Sequence, residues 1–245
     1  MTPPDTADPY AHIPVLYDLE LGDAAGDIAG YAARGVPGPL LVLGCGTGRV
    51  CRGLAPLRPV VGLDRSAPML ARARERGPAS VRWVLGDMRE FDVGAVAEIV
   101  VPHGAFALLP TRAGRAACLA SARRALGPSG PLTLDLPAPD PACLAELHTP
   151  ERLAWEGRLG EVPVRRTREV FRAPLRGDLR LVDRFFVGDA APVVSELRLH
   201  VAAPDEVEWM LEANGFYVDQ MWGDHAGSPV REGCDRLLVR ALPLH

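Results

Sequence analysis

The chain has 245 residues, 48% of them apolar, and a formal net charge of −4. That supports the core of one large domain, or of one domain with a sizeable insertion. It leaves no basic excess for general nucleic-acid binding, and no apolar run is long enough to cross a membrane. All 27 basic residues are arginine, so Schiff-base chemistry, pyridoxal phosphate anchoring and lysine general bases are excluded.

The N-terminus, MTPPDTADPYAH, has neither a basic region nor an apolar stretch and does not read as a signal peptide. The five cysteines (Cys45, Cys51, Cys118, Cys143 and Cys234) form no C-x-x-C pair. Free thiols in a reducing cytoplasm are expected, and no metal site. Tyr10, Ile13, Val15, Leu16 and Tyr17 make a short amphipathic segment. Asp23 to Arg34 reads as a helix stopped by Gly35-Val36-Pro37-Gly38.

Pro39 to Arg52 is the stretch that organises the chain. Leu40 to Leu43 is an unbroken apolar run, as in a strand buried on both faces. Gly44-Cys45-Gly46-Thr47-Gly48 follows at once, and its alternate glycines let a ligand lie against the backbone. Val50 starts a helical pattern. Strand, glycine turn and helix form the first unit of a doubly wound nucleotide-binding fold. The dinucleotide fingerprint would need glycine where Arg49 stands, and a P-loop would need a Gly-Lys pair.

Pro59 to Asp64 is a second buried strand, and Ser66 caps the next helix, with Met69, Leu70 and Ala73 facing inward. Val81 to Asp87 and Ala97 to His103 are the third and fourth strands. Thr111 caps a helix to Leu126, and Pro131 to Leu136 is the fifth strand. This alternation predicts a parallel sheet with right-handed crossovers. Residues 162–201 then hold three β-like stretches separated by turns, which read as an inserted antiparallel sheet. Pro204 to Asn214 is a helix, and Phe216 to Trp222 and Arg236 to Leu242 are two final strands. The expected fold is α/β, a doubly wound Rossmann-like sheet of seven strands with the last antiparallel, plus the insertion. Its parts are 1–38 (N-terminal lid helices), 39–150 (ligand-binding core), 151–203 (β insertion) and 204–245 (last helix and strands).

The order of these motifs resembles class I S-adenosylmethionine (SAM) dependent methyltransferases over roughly residues 10–140 and 204–242. The resemblance implies that Gly44, Cys45, Gly46 and Gly48 form motif I. It implies that Asp64, in Asp64-Arg65-Ser66 followed by Met69 and Leu70, accepts the ribose hydroxyls. Gly86, Asp87 and Met88 would cradle adenine, and Pro102 is a further cofactor-binding candidate. Gly223-Asp224-His225-Ala226-Gly227-Ser228-Pro229 followed by Arg236-Leu237-Leu238-Val239, with Tyr10 and Tyr17-Asp18, resembles the bacterial sugar and antibiotic N-methyltransferases. In those, the N-terminal tyrosines close over the methionine part of SAM. The implied cofactor is SAM, the product S-adenosylhomocysteine (SAH), and the acceptor a nitrogen or oxygen of a small molecule in bacterial secondary metabolism.

Two departures from the family pattern bear on chemistry. Val42 stands where the family has an acid that helps hold the cofactor's ammonium group. Leu108 stands where relatives often carry a catalytic histidine, while His103 stands where they often have an aromatic. His103, at the carboxyl end of the fourth strand, and Tyr10 are the catalytic candidates. A SAM-fold protein that does not transfer methyl groups is the alternative reading. Arg165, Arg166, Arg168, Arg172, Arg176, Arg180 and Arg184 are read as the wet faces of the insertion, with an anionic substrate handle as the sharper reading. A homodimer contact is another use of that sheet. Trp155, Phe185, Phe186, Trp209 and Trp222 are core candidates.

Overall fold

A computed structural model describes residues 8–22, 26–138, 146–173, 177–234 and 236–244. Cys143, Arg176 and His245 lie outside the described residues, as do residues 23–25 of the helix expected from Asp23. The elements in order are α1 (Pro14–Leu21), α2 (Gly26–Arg34), β1 (Leu40–Leu43), α3 (Arg49–Leu54), β2 (Val60–Asp64), α4 (Ala67–Arg76), β3 (Val81–Leu85), β4 (Glu98–Val101), α5 (Arg112–Ala125), β5 (Leu132–Pro137), β6 (His148–Leu159), β7 (Val162–Ala173), β8 (Asp178–Val187), β9 (Val193–His200), α6 (Pro204–Glu212), β10 (Phe216–Trp222) and β11 (Arg236–Pro243). Among the described residues no helix is long and apolar enough to cross a membrane.

Seven strands form one sheet in the order β10-β11-β5-β4-β1-β2-β3. β1 to β5 pair in parallel, and β11 runs antiparallel to both β5 and β10. The apolar run of β1 is explained by burial of all four residues. Leu41 and Leu43 face the cluster under α5 and α6, whereas Leu40 and Val42 face the one formed with Tyr31 of α2 and Val50 of α3. The chain leaves β1 toward β2 and β3 on one side, then returns to β4 on the other. The crevice where this order reverses, at the carboxyl ends of β1 and β4, is where such sheets bind ligands. The caps fall where the sequence puts them. The Ser66 hydroxyl accepts from the Met69 N–H, and the Thr111 hydroxyl from the Gly114 N–H.

The insertion is an antiparallel sheet of four strands, β6-β7-β8-β9, rather than three. The extra strand, β6, is nearly all exposed and interrupted twice by register shifts. With Pro150 and charged residues throughout, it lacks the alternation by which a half-buried strand is read. One face of the sheet is covered by α1, with Ile13 and Leu16 buried against Val164 and Phe185. The N-terminal segment is therefore part of the insertion's core.

That packing corrects two expectations for side chains. Arg166 and Arg168 are not on a wet face: both pair with the buried Asp183, and Arg166 also pairs with Glu20 of α1 at 2.7 Å. Arg180 and Arg184 do face outward, on Glu196 and on Glu151 and Glu169. Trp209 is half exposed under the Arg112 guanidinium and is not core.

Candidate active site

A cavity of about 560 Å³ occupies the crevice. Its floor is the glycine turn. Gly44 (φ +68°) and Gly46 (φ +55°) adopt backbone conformations that favour glycine, and both line the cavity. A Cβ on Gly44 would fall 2.6 Å from that of Ala105, so the turn packs tightly against the chain after β4. Gly46 faces the Tyr17 ring instead. Gly48 (φ +80°) serves another purpose. It is absent from the lining, and a Cβ there would sit 2.4 Å from the Trp83 ring. Cys45 is buried and Gly86 is half-buried, and neither lines the cavity.

Asp64 ends β2 at the rim. One carboxylate oxygen accepts from the Gly46 N–H at 2.7 Å and the other from the Ser66 N–H at 2.8 Å. Each oxygen keeps a lone pair for a ligand hydroxyl. Burial pushes this carboxyl up, against the pull of those two N–H groups. Arg65 and Met69 line the same wall, as do Asp87 and Met88. Asp87 is paired with Arg89 at 2.6 Å, a partner that also lines the cavity.

The roof comes from outside the doubly wound sheet. Pro9, Tyr10 and Tyr17 enter from the N-terminal segment, and Glu196 and Arg198 from β9. Two hydrogen bonds fasten that segment across the crevice: Ser66 to the Asp8 carboxylate at 2.6 Å, and Ser195 of β9 to the Pro9 carbonyl at 2.7 Å. Tyr10 and Tyr17 meet edge to face, with centroids 5.9 Å apart. Burial raises the Tyr10 hydroxyl well above the ordinary tyrosine range and pushes Tyr17 up to about 12, although Arg49 lowers the latter. Both hydroxyls stay protonated, with a proton each to donate.

His103, Pro102, Leu108 and Leu109 make the remaining wall. His103 is the one non-glycine residue among the described residues with a left-handed backbone, at φ +52°. Its backbone N–H donates to Asp135 of β5 at 3.0 Å. Asp135 is fully buried and also accepts from the Tyr31 hydroxyl at 2.7 Å and from Arg236 at 2.7 Å. Burial pushes Asp135 up, but hydrogen bonds from His225, Tyr31 and the His103 backbone, with the Arg236 charge, outweigh it and hold the carboxyl well below the usual carboxylate range. On the other side the His103 ring meets Asp27 of α2, Nε2 to Oδ2 at 2.8 Å. Asp27 also accepts two bonds from Arg49, at 2.8 and 2.5 Å. Arg49 and the His103 ring touch as well. Asp27 and Asp135 were not legible as site residues from sequence. Arg49 stood next to motif I, but read there only as a missing glycine.

The residues present fit a SAM-like ligand. Glycines floor the cavity, a rim carboxylate keeps acceptors for two hydroxyls, and Met88, Leu63 and Leu109 give an apolar slot beside Asp87. Among the described residues no group of three His, Cys, Asp or Glu could hold a metal.

Residues 40–130 match the family model of a methyltransferase domain. That stretch carries the methyltransferase domain, and the chain over its length is similar to SAM-dependent methyltransferases of known structure. A relative with a curated name, the dTDP-3-amino-3,6-dideoxy-α-D-glucopyranose N,N-dimethyltransferase of Streptomyces fradiae, is 41% identical over 98 residues. That match spans 36% of this chain and 38% of the relative's length. Two solved methyltransferases align with 99% of this chain and 100% of their own. The CcbJ methyltransferase of Streptomyces caelestis does so at TM-score 0.83 and 23% identity, which shows the shared fold. A SAM-bound amino pentose methyltransferase of Micromonospora echinaspora, involved in calicheamicin biosynthesis, does so at TM-score 0.69 and 26% identity. The seven-stranded sheet and the added antiparallel sheet expected from the sequence are both present in this chain.

Proposed function

We propose that this methyltransferase moves a methyl group from SAM to an amino nitrogen of a sugar or sugar-bearing small molecule in bacterial secondary metabolism. The observation that carries the reading is the cavity at the switch point, floored by the glycine turn and rimmed by Asp64. The sugar acceptor is supported by the names of the Streptomyces fradiae relative and of the amino pentose methyltransferase. The cofactor is soluble and the chemistry needs no membrane, so we place the enzyme in the cytoplasm.

When bound, SAM supplies an electrophilic methyl carbon on a sulfonium, and an in-line displacement leaves SAH. The protein's part is alignment and exclusion of water, and alignment can lower the barrier by several kcal/mol. Asp64 holds the ribose hydroxyls, Met88 and Asp87 the adenine, and Gly44 and Gly46 let the chain approach closely. Tyr17 and Tyr10 donate hydrogen bonds from the roof. His103 takes the proton of an acceptor amine that arrives protonated. The N–H bond's electron pair stays on nitrogen, which would then be free to accept the methyl group that SAM would supply. Such a base contributes roughly 10²–10⁴-fold.

The test has two parts. Titration calorimetry with SAM and SAH should show binding of both. Mass spectrometry with methyl-labelled SAM and a panel of nucleotide-linked amino sugars should show label in the product. Substrate turnover with SAM left intact would favour the alternative, a SAM-fold enzyme that does not transfer methyl groups. No binding of SAM or SAH would remove the reading altogether.

A further inference from the structure

The insertion reaches the cavity through β9, at Glu196 and Arg198. Two residues apart on a strand, they share one face. β9 packs beside the turn Ala105–Leu108, which follows His103, so both charges sit on the His103 side of the crevice. The strand is held there by Ser195, whose hydroxyl donates to the Pro9 carbonyl of the roof at 2.7 Å.

Arg198 uses little of its bonding capacity. Its side chain is 45% exposed, and its ion pair with Glu196 is long, at 3.7 Å. It makes no hydrogen bond to any of the described residues. Glu196 is engaged more closely by Arg180, at 3.2 Å, and Arg180 is in turn stacked over the Phe171 ring. The planar fork of N–H donors on Arg198 is therefore left for a ligand.

The strand register adds a second observation. Arg180 and Arg198 stand directly opposite one another on β8 and β9. Like charges in that relation are destabilising, and a single carboxylate, Glu196, serves both. Val182, the register partner of Glu196, is buried and brings no charge. A bound anion would relieve the repulsion between the two guanidinium groups. None of the described arginines read from sequence as an anionic handle lines the cavity, whereas Arg198 does.

We propose that Arg198 is the specificity-determining residue for the acceptor and binds a phosphate group of it through the guanidinium fork, with Arg180 adding to the positive field. The inference rests on the reading of the cavity as a methyltransferase site. A phosphate or diphosphate suits two facing guanidinium groups better than a lone carboxylate does, because it brings more oxygens and more charge.

The experiment is calorimetric titration of the SAH-loaded protein at low ionic strength, in buffer free of phosphate, with inorganic pyrophosphate, thymidine diphosphate and malonate. The wild type should bind both phosphate compounds, and malonate about five-fold more weakly or worse. Equal affinity for the two phosphate compounds would point to a sugar phosphate as acceptor, and tighter thymidine diphosphate to a nucleotide-linked one. Arg198→Gln should weaken pyrophosphate binding about ten-fold, the scale of one lost hydrogen bond to a charged group. Its SAH affinity should stay within about two-fold, which shows that the variant is folded. Arg198→Lys keeps the charge without the fork and should fall between the two. Arg165→Gln makes the same change of net charge at an exposed arginine outside the lining, and should leave pyrophosphate binding unchanged. In turnover, Arg198→Gln should raise KM for a nucleotide-linked amino sugar with kcat within about two-fold, and leave the methyl glycoside of the same sugar unaffected.

Pyrophosphate binding that is absent from the wild type, no tighter than that of malonate, or unchanged in Arg198→Gln overturns the inference. So does an equal loss in Arg165→Gln, which would make the effect one of overall charge. Failure of the wild type to bind SAH would count against the functional reading instead, and the same titrations on the free protein would then test Arg198 by themselves.

Discussion

Replacing Asp64 by alanine tests the floor of the site most directly. In the free protein the carboxylate accepts two backbone N–H groups, from Gly46 and Ser66. With SAH bound it would also accept ribose hydroxyls. A hydrogen bond to a charged group is worth about 1.5–3 kcal/mol. Loss of one net bond of this kind should weaken SAH binding about 10- to 150-fold. Stability should change less than affinity. The two backbone bonds are lost, but so is a carboxylate whose burial disfavours its charge. The assay is calorimetric titration with SAH, paired with a thermal melt of the free protein. The pH dependence gives a second handle. The acceptor is the ionised form and burial raises the carboxyl, so wild-type affinity should fall as the solution is acidified toward it. The alanine variant should lack that dependence. Unchanged affinity in the variant would mean that the ribose is held elsewhere. A melting temperature that drops as far as the affinity would mean that Asp64 acts by shaping the glycine turn.

Gly48→Ala should cost about 2–4 kcal/mol, from the left-handed backbone and from overlap with the Trp83 ring. For a chain of this size that lowers the melting temperature by about 4–16 °C. A change under 1 °C would refute the packing role. The acid limb of stability is set in part by Asp27 and Asp135, both held below the ordinary value of 3.8. A depressed carboxyl adds stability above its unfolded pKa and loses it as pH falls through that value toward the folded one. Denaturant melts of the wild type should therefore weaken steeply below about pH 4, and those of Asp135→Asn less steeply. Equal slopes would show that these carboxylates do not control acid unfolding. Deleting residues 1–18 should abolish turnover and weaken SAH binding, because Tyr10 and Tyr17 go with the roof. It should also uncover Val164 and Phe185 and raise binding of a hydrophobic dye. Full activity in the truncated protein would make the tyrosines surface residues.

The sequence by itself determined the doubly wound sheet and the glycine turn and rim residues that line its crevice. Both follow from local rules. Buried parallel strands read as apolar runs such as Leu40 to Leu43, and their turns carry glycines and caps such as Ser66 and Thr111. Because ligands bind at strand ends, Asp64 and Asp87 were legible from their places after β2 and β3. Sequence missed β6, whose exposed and bulged chain has no alternation to read, and it set Arg166 and Arg168 on the wrong face. Only the tertiary structure decided what surrounds His103. Asp27, Arg49, His103 and Asp135 come from α2, α3, the end of β4 and β5, and the chain separation from Asp27 to Asp135 is as long as the core itself. An acid on a helix and an acid in a strand look alike in sequence when each is flanked by ordinary neighbours. What distinguishes these two is that the fold removes both from water and turns both toward one histidine, where each must find donors or pay for burial.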